Sequence, residues 1–144
     1  MGAETVKALL RVGAKVIVAG RNPILQQQFI ESLKKDFDEL QVDGSHTVDL
    51  ADLKSVQDFA AHVLKTYTNL VLICNAGIMN TPPGVTKNGF EQQIGVNVIG
   101  HFLLAKKLVG VTSRQVWLSS WGHTLKGGPR LDLERIRTFK VDDP

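Results

Sequence analysis

The turn Cys74-Asn75-Ala76-Gly77 is the first place in this sequence where residue types combine into something chemical. Asn75 offers an amide able to tie neighbouring strand ends together, and Gly77 permits a φ that other residues avoid. Arg21 follows Gly20 just past a short apolar run, where a guanidinium can pair with a phosphate and no carboxylate repels one. The same arginine also reads as a solvated residue at the start of a helix. Ser119-Ser120 close another apolar run, where a serine on its own is a commonplace strand-end residue. Asn97 on its own reads as a polar residue bonding backbone within a helix, and His101, one turn later, as structural. His123 falls in a loop with no partner in view and reads as surface, while Trp117 and Trp121 read as core or rim packing.

The apolar pattern says what must hold these residues. Residues 3–11 read as a helix with Val6, Leu9 and Leu10 on one face, stopped by Gly13. The β-branched run Lys15 to Ala19 reads as a buried strand. Asn22-Pro23 opens a helix, with Asn as the cap and Pro at the first helical position, and Leu25, Phe29 and Leu33 form its stripe. Ser45 to Asp49 is a weaker strand, and Asp52 caps a helix with Leu53, Val56, Ala60, Val63 and Leu64 inward. Leu70 to Cys74 is the strongest strand. Residues 89–109 read as one long helix aligning Ile94, Val98, Phe102 and Ala105, followed by a strand from Gln115 to Ser119. From Gly122 to Pro144 the pattern is irregular, with one helical turn near Leu133.

Strands alternating with helices imply right-handed crossovers and a parallel sheet covered on both faces, the α/β doubly wound, Rossmann-like class. Ligands of that class sit outside the carboxyl ends of the strands. The strands at 15–19, 69–74 and 115–119 are therefore expected in one parallel sheet. Asn75, Asn97 and Ser120 are expected to converge near its carboxyl edge, although they span 45 residues.

The totals exclude several other classes. A hydrophobic content of 43% and a charged content of 22% are those of an ordinary soluble globular protein, and 144 residues suit a single domain spanning 1–144. The net charge is +3, the pairs Lys34-Lys35 and Lys106-Lys107 read as solvated helix faces, and no basic patch is interleaved with aromatics as a nucleic-acid surface would be. No apolar stretch is long enough to span a membrane. The opening residues look like a myristoylation signal except at Val6, where Ser or Thr is needed, and Glu4, Lys7 and Arg11 break up any signal peptide. Cys74 is the only cysteine, which excludes an intrachain disulfide and a cysteine-based zinc site and suits a reducing compartment. A cytoplasmic protein without a metal is the expectation.

The Asn75-Ala76-Gly77 turn is followed about twenty residues later by Gly95-Val96-Asn97-Val98-Ile99-Gly100-His101-Phe102. In that combination the chain resembles the short-chain dehydrogenase/reductase family, marked by an Asn-Ala-Gly turn and then a helix carrying a Val-Asn pair. The ending Gly100 to Leu104 is similar to the retinol-dehydrogenase-like branch, which includes the WW-domain oxidoreductases. The resemblance covers nearly the whole chain. It implies that Gly2 is the last glycine of a phosphate-binding loop and that Asp49-Leu50 is the pair whose acid accepts from the adenine amine. It implies that Asn75, Ala76 and Gly77 line the cofactor, that Ser120 is the catalytic serine holding the substrate oxygen, and that Asn97 belongs to the proton relay. NAD enzymes place an Asp where this chain has Gly20, so Arg21 points to NADP(H) in preference to NAD(H). The implied substrate is a small-molecule carbonyl or lipophilic alcohol, and a homo-oligomer is a common arrangement in the family.

The chain also departs from the family. The family's proton donor is a tyrosine whose pKa is lowered by a lysine four residues on, and a serine hydroxyl is too weak an acid to replace it. Tyr67 is the only tyrosine, has Val71 four residues after it, and precedes the strongest strand, so it does not fit that role. The family's first strand, the first two glycines of its phosphate loop and its last strands are not in these residues. The resemblance thus implies an incomplete doubly wound sheet, truncated at both ends. Gly100 to Ser119 is also about five residues shorter than the resemblance leads one to expect, so the helix must end near Gly110. Three readings follow. One is an NADP(H)-dependent oxidoreductase incomplete as written, the second a catalytically dead binding or regulatory fragment, and the third a product of a disrupted gene.

Overall fold

The first helix spans Gly2–Arg11 against the expected 3–11, while the first strand is Val16–Ile17 alone, within the expected 15–19. A computed structural model describes residues 1–120, which form two compact units, Met1–Asp49 and a second beginning at Leu50. In the first unit, helix α1 (Gly2–Arg11) leads to strand β1 (Val16–Ile17), helix α2 (Pro23–Leu33) and strand β2 (Val42–Asp43). Gly13, at φ 77°, ends α1 by donating its N–H to the Leu10 carbonyl at 3.0 Å. Asn22 caps α2, its Oδ1 accepting from Ile24 and Leu25 N at 3.0 and 3.1 Å. Leu10, Val16 and Leu33 form the buried core, with Val6, Leu9, Phe29 and Phe37 packed against it.

Two expectations fail in this unit. The second strand is Val42–Asp43 rather than 45–49, pairing in parallel with β1 in the register Val16 to Val42 and Ile17 to Asp43. Leu25 is 61% exposed, and Gln26 takes the inward position instead. The Gln26 amide explains this: Oε1 accepts from Gly20 N at 2.8 Å, while Nε2 donates to the Gly44 and His46 carbonyls at 2.8 and 3.1 Å. One side chain thereby satisfies the loops after both strands, and a buried amide is stable when so fully paired.

In the second unit, helix α3 (Leu53–Thr66) precedes strand β3 (Leu70–Cys74). A short turn of helix α4 (Gln92–Ile94) runs through a π-helical turn (Gly95–Gly100) into α5 (His101–Leu108), and strand β4 (Thr112–Trp117) follows. Asp52 caps α3 as expected, accepting from Lys54 and Ser55 N at 3.0 and 3.4 Å. Glu91 caps α4 in the same way, at 2.9 Å from Gln93 N and 2.7 Å from Ile94 N. The buried face of α3 is Val56, Phe59, Ala60 and Val63, whereas Leu64 is 42% exposed and turns outward.

The expected stripe Ile94, Val98, Phe102, Ala105 holds only at its ends, where Ile94 is half-buried and Ala105 buried. Val98 and Phe102 are exposed, and the buried face is Val96, Gly100, His101, Leu104, Ala105 and Leu108. The π-helical turn widens the helix by one residue, so a strict 3.6-residue period carried across it lands on the wrong face.

β3 and β4 pair in parallel, with Leu72, Ile73 and Cys74 opposite Gln115, Val116 and Trp117. β4 starts three residues earlier than expected because α5 ends at Leu108 and a tight turn passes straight into it. The single sheet is met instead as two parallel pairs, β1 with β2 and β3 with β4. A sheet is continuous only where adjacent strands exchange backbone bonds, and residues 1–120 supply no strand that bonds to both pairs. The expected helical turn near Leu133, Trp121 and His123 lie outside the described residues.

Candidate functional site

β3 delivers its chain to the carboxyl edge at Cys74, and the next four residues are held from one side by the helix behind them. Asn97, in the π-helical turn, accepts from Ile78 N through Oδ1 and donates to Ile78 O through Nδ2, both at 2.8 Å. His101, one turn further on, sits with Nε2 2.8 Å from the Ala76 carbonyl. Two side chains of one helix face thus grip alternate residues of an extended segment.

Gly77 lies between the two grips. Its φ is not in the left-handed region, which corrects the expectation drawn from its residue type. The space here is tight: a Cβ at this position would lie 3.3 Å from Asn97 Oδ1, which would have to give by a few tenths of an ångström. Ala76 and Gly77 are both exposed, so the turn presents a surface almost free of side chain. Asn75 Oδ1 is buried and has no hydrogen-bond partner, an acceptor left waiting for a donor.

Ser120 stands on the same edge by topology, because Trp117 pairs with Cys74 and Leu118 N still donates to the Cys74 carbonyl at 3.2 Å. It lies three residues beyond the end of β4 and is exposed, so it does not close the strand as expected. The early start of β4 accounts for the offset. His101 is the member of this cluster that residue type alone failed to flag. It is 5% exposed, and its ring meets Trp117 edge-on at 6.4 Å between centroids. Its spacing of four from Asn97 was the available signal, since that spacing puts both on one helix face.

Cys74 is buried beside this turn, and burial pushes its thiol up to about 11, so it stays a neutral, unreactive thiol. Tyr67 caps the far end of α3, three residues before β3 begins, with its ring edge-on to His62 at 6.4 Å. It therefore belongs to the amino end of the strand, opposite the turn.

The remaining candidates divide between the units. Gly2 opens α1, whose N-terminus has no side-chain cap, which leaves first-turn N–H groups available to an anion, although Glu4 shares that turn. Arg21 is exposed, immediately before the cap of α2, with no ion-pair partner among the described residues. Asp49 is half-buried at the end of the first unit. Leu50 is buried, and a Cβ at Gly100 would lie 2.5 Å from its carbonyl oxygen.

Residues 1–115 match the family described as short chain dehydrogenase. The chain belongs to that family. Among curated proteins, human retinol dehydrogenase 13 is 36% identical over 129 residues, 85% of this chain and 39% of the relative. Mouse retinol dehydrogenase 11 is 40% identical over 131 residues, covering 87% of this chain and 41% of the relative. Human polyprenol dehydrogenase is 35% identical over 133 residues, covering 85% and 40%. The chain therefore spans about two fifths of the length of the curated relatives it matches.

Among solved structures, an uncharacterised protein from Mycobacterium paratuberculosis is 37% identical, with a TM-score of 0.79 over 94% of this chain and 46% of its own. An actinorhodin polyketide ketoreductase solved with NADPH shares the fold at a TM-score of 0.59 and 23% identity, over 76% of this chain and 42% of its own. The α/β class with parallel strands, incomplete relative to the full fold of these dehydrogenases, is the architecture of this chain.

A nicotinamide dinucleotide is the cofactor that such a fold implies. In the second unit the orphaned buried acceptor at Asn75, beside the exposed Ala76-Gly77 surface, suits such a group; in the first unit, taken by itself, the uncapped helix start at Gly2 suits an anion. Arg21 offers an exposed guanidinium as well.

Proposed function

We propose that this chain carries the cofactor-side half of an NADP(H)-dependent oxidoreductase that acts on a carbonyl or a lipophilic alcohol. The observation that carries the reading is the Asn75–Ile78 turn, held open by Asn97 at the carboxyl edge of β3. When bound, the cofactor supplies or accepts the hydride. The protein's part is positional. Gly2 and the first turn of α1 hold phosphate, Arg21 pairs with a 2′-phosphate, Asp49 accepts from the adenine amine, and Asn75 to Gly77 face the ribose. Leu50, the other member of that pair, contributes packing. Ser120 holds the substrate oxygen, and Asn97 supports the proton path. A single buried thiol suits a reducing compartment, and the cytoplasm is the simplest one. The exposed Val98 and Phe102 on one helix favour association of copies.

A second reading is favoured by one specific observation. The 144 residues contain no Tyr-x-x-x-Lys pair, and Tyr67 sits at the wrong end of β3. The 144-residue polypeptide on its own is then a binding or regulatory fragment without turnover.

Calorimetric titration of NADPH and NADH against the chain and against Arg21→Ala tests both readings. A charge-assisted contact contributes roughly 1.5–3 kcal/mol, well short of the roughly 8 kcal/mol of a micromolar complex. The expected dissociation constant for NADPH is therefore weaker than about 100 µM on that arithmetic, with its preference over NADH lost in Arg21→Ala. Tight NADPH binding would favour the binding-module reading. Equal weak binding of both cofactors by the unsubstituted chain would return Arg21 to a solvated surface role.

A further inference from the structure

The trans peptide is planar, so a carbonyl and the N–H that follows it point in opposite directions. No cis peptide interrupts the described chain. The Ala76 carbonyl is turned inward to His101 Nε2 at 2.8 Å, and the Gly77 N–H on the same peptide therefore points away from the helix. No protein acceptor meets that N–H among the described residues. The next two peptides are set by Asn97, one through Ile78 N and one through Ile78 O. Three successive peptide planes are thus locked by two side chains, and only the first depends on His101.

His101 is built into this place. It is buried, a Cβ at its neighbour Gly100 would strike the Leu50 backbone, and its other face meets Trp117. Its Nδ1 is buried without a partner, which leaves Nε2 to carry the proton and donate to Ala76. The ring therefore acts at one point.

We infer that His101 is a positioning residue: it holds the Ala76–Gly77 peptide so that the Gly77 N–H faces outward as a donor to an acceptor oxygen of the cofactor. The inference rests on the cofactor reading of the turn given above. Asn97 alone leaves that peptide free to rotate, because its two bonds fall on Ile78.

The test is a heteronuclear NMR comparison of the 144-residue chain with His101→Leu and His101→Gln, first alone and then titrated with NADPH. Leucine fills the site without a donor, while the glutamine amide can restore a donor to the Ala76 carbonyl. Without ligand, His101→Leu is expected to shift the Gly77 amide resonance, and His101→Gln to return it toward its original position at unchanged helical content. A Gly77 resonance unmoved in His101→Leu, or equally displaced in both variants, would overturn the proposal.

With NADPH, the Gly77 resonance is expected to move in the unsubstituted chain and in His101→Gln. In His101→Leu, affinity should be about threefold to tenfold lower, as the loss of one hydrogen bond implies. If the ligand-free shifts behave as expected but NADPH leaves Gly77 untouched, the positioning of the turn stands and the cofactor reading of it falls.

Discussion

Asn97 has both halves of its amide engaged with Ile78, yet it is an exposed residue on a helix. Its two neutral bonds are partly open to water, so removing them costs the low end of the range for a pair of hydrogen bonds. Asn97→Ala is expected to lower unfolding free energy by about 1–2 kcal/mol in urea titration. Asn97→Asp, which keeps the acceptor toward Ile78 N but sets a carboxylate oxygen against the Ile78 carbonyl, should be at least as destabilised as Asn97→Ala. Should Asn97→Ala match the unsubstituted chain, the clamp contributes nothing and the turn is held by its own backbone. Arg21 belongs to this scale too, as a single exposed guanidinium whose loss should alter cofactor preference without altering stability.

The helix from Gln92 to Leu108 shows how an element is placed by what it cannot carry. Gly100 packs on Leu50, where a Cβ would come within 2.5 Å of a carbonyl oxygen and 2.9 Å of Leu50 Cβ. Backbone cannot yield as a flexible side chain would, so Gly100→Ala is expected to destabilise by about 1–3 kcal/mol, the usual range for overpacking. Thermal denaturation should record it, and an unchanged midpoint would mean the helix slides freely over Leu50. At the start of α3, Asp52 both caps the helix and pairs with Lys87 at 2.6 Å. The Lys87 ammonium holds the Asp52 carboxyl below its ordinary 3.8. A carboxyl depressed in the folded state stabilises above its unfolded value and loses that contribution as pH falls through the folded one. Acid titration below pH about 4 should therefore show a steeper loss of stability than in Asp52→Asn, which keeps the cap but not the charge. Superimposable acid limbs would remove the Lys87 pair from the balance.

At the scale of the molecule, the β3–β4 pair carries the Asn75–Ile78 turn and Ser120 past its carboxyl ends, and the sequence's single tyrosine, Tyr67, lies at the other end of β3. General acid catalysis typically contributes about 10²–10⁴-fold. The purified 144-residue chain is therefore expected to show no NADPH-dependent reduction of aldehydes or ketones above the blank, followed by absorbance at the cofactor band. Turnover abolished by Ser120→Ala would reverse this, and would mean that another group donates the proton. No helix among the described residues is long and apolar enough to cross a membrane.

Local rules were enough for whatever is decided within a few residues. The caps at Asn22 and Asp52, the stop at Gly13 and the β3 strand all follow from side chains acting on their own backbone, and each stands where residue type places it. The family, too, was visible in the Asn75-Ala76-Gly77 turn and the Asn97 helix, because that pairing of motifs is rare by chance. Tertiary structure decided the rest wherever the deciding partner is distant in sequence. Gln26 is inward because loops eighteen and twenty residues away need its amide, so Leu25 is left outside. Val98 and Phe102 are outward because a π-helical turn, Gly95–Gly100, shifts the face of the helix. Gly77 sits close against Asn97 and does not use a positive φ, and His101 matters through a carbonyl twenty-five residues earlier. A residue's type states what bonds it can make. Only the packed chain brings the atom that receives them.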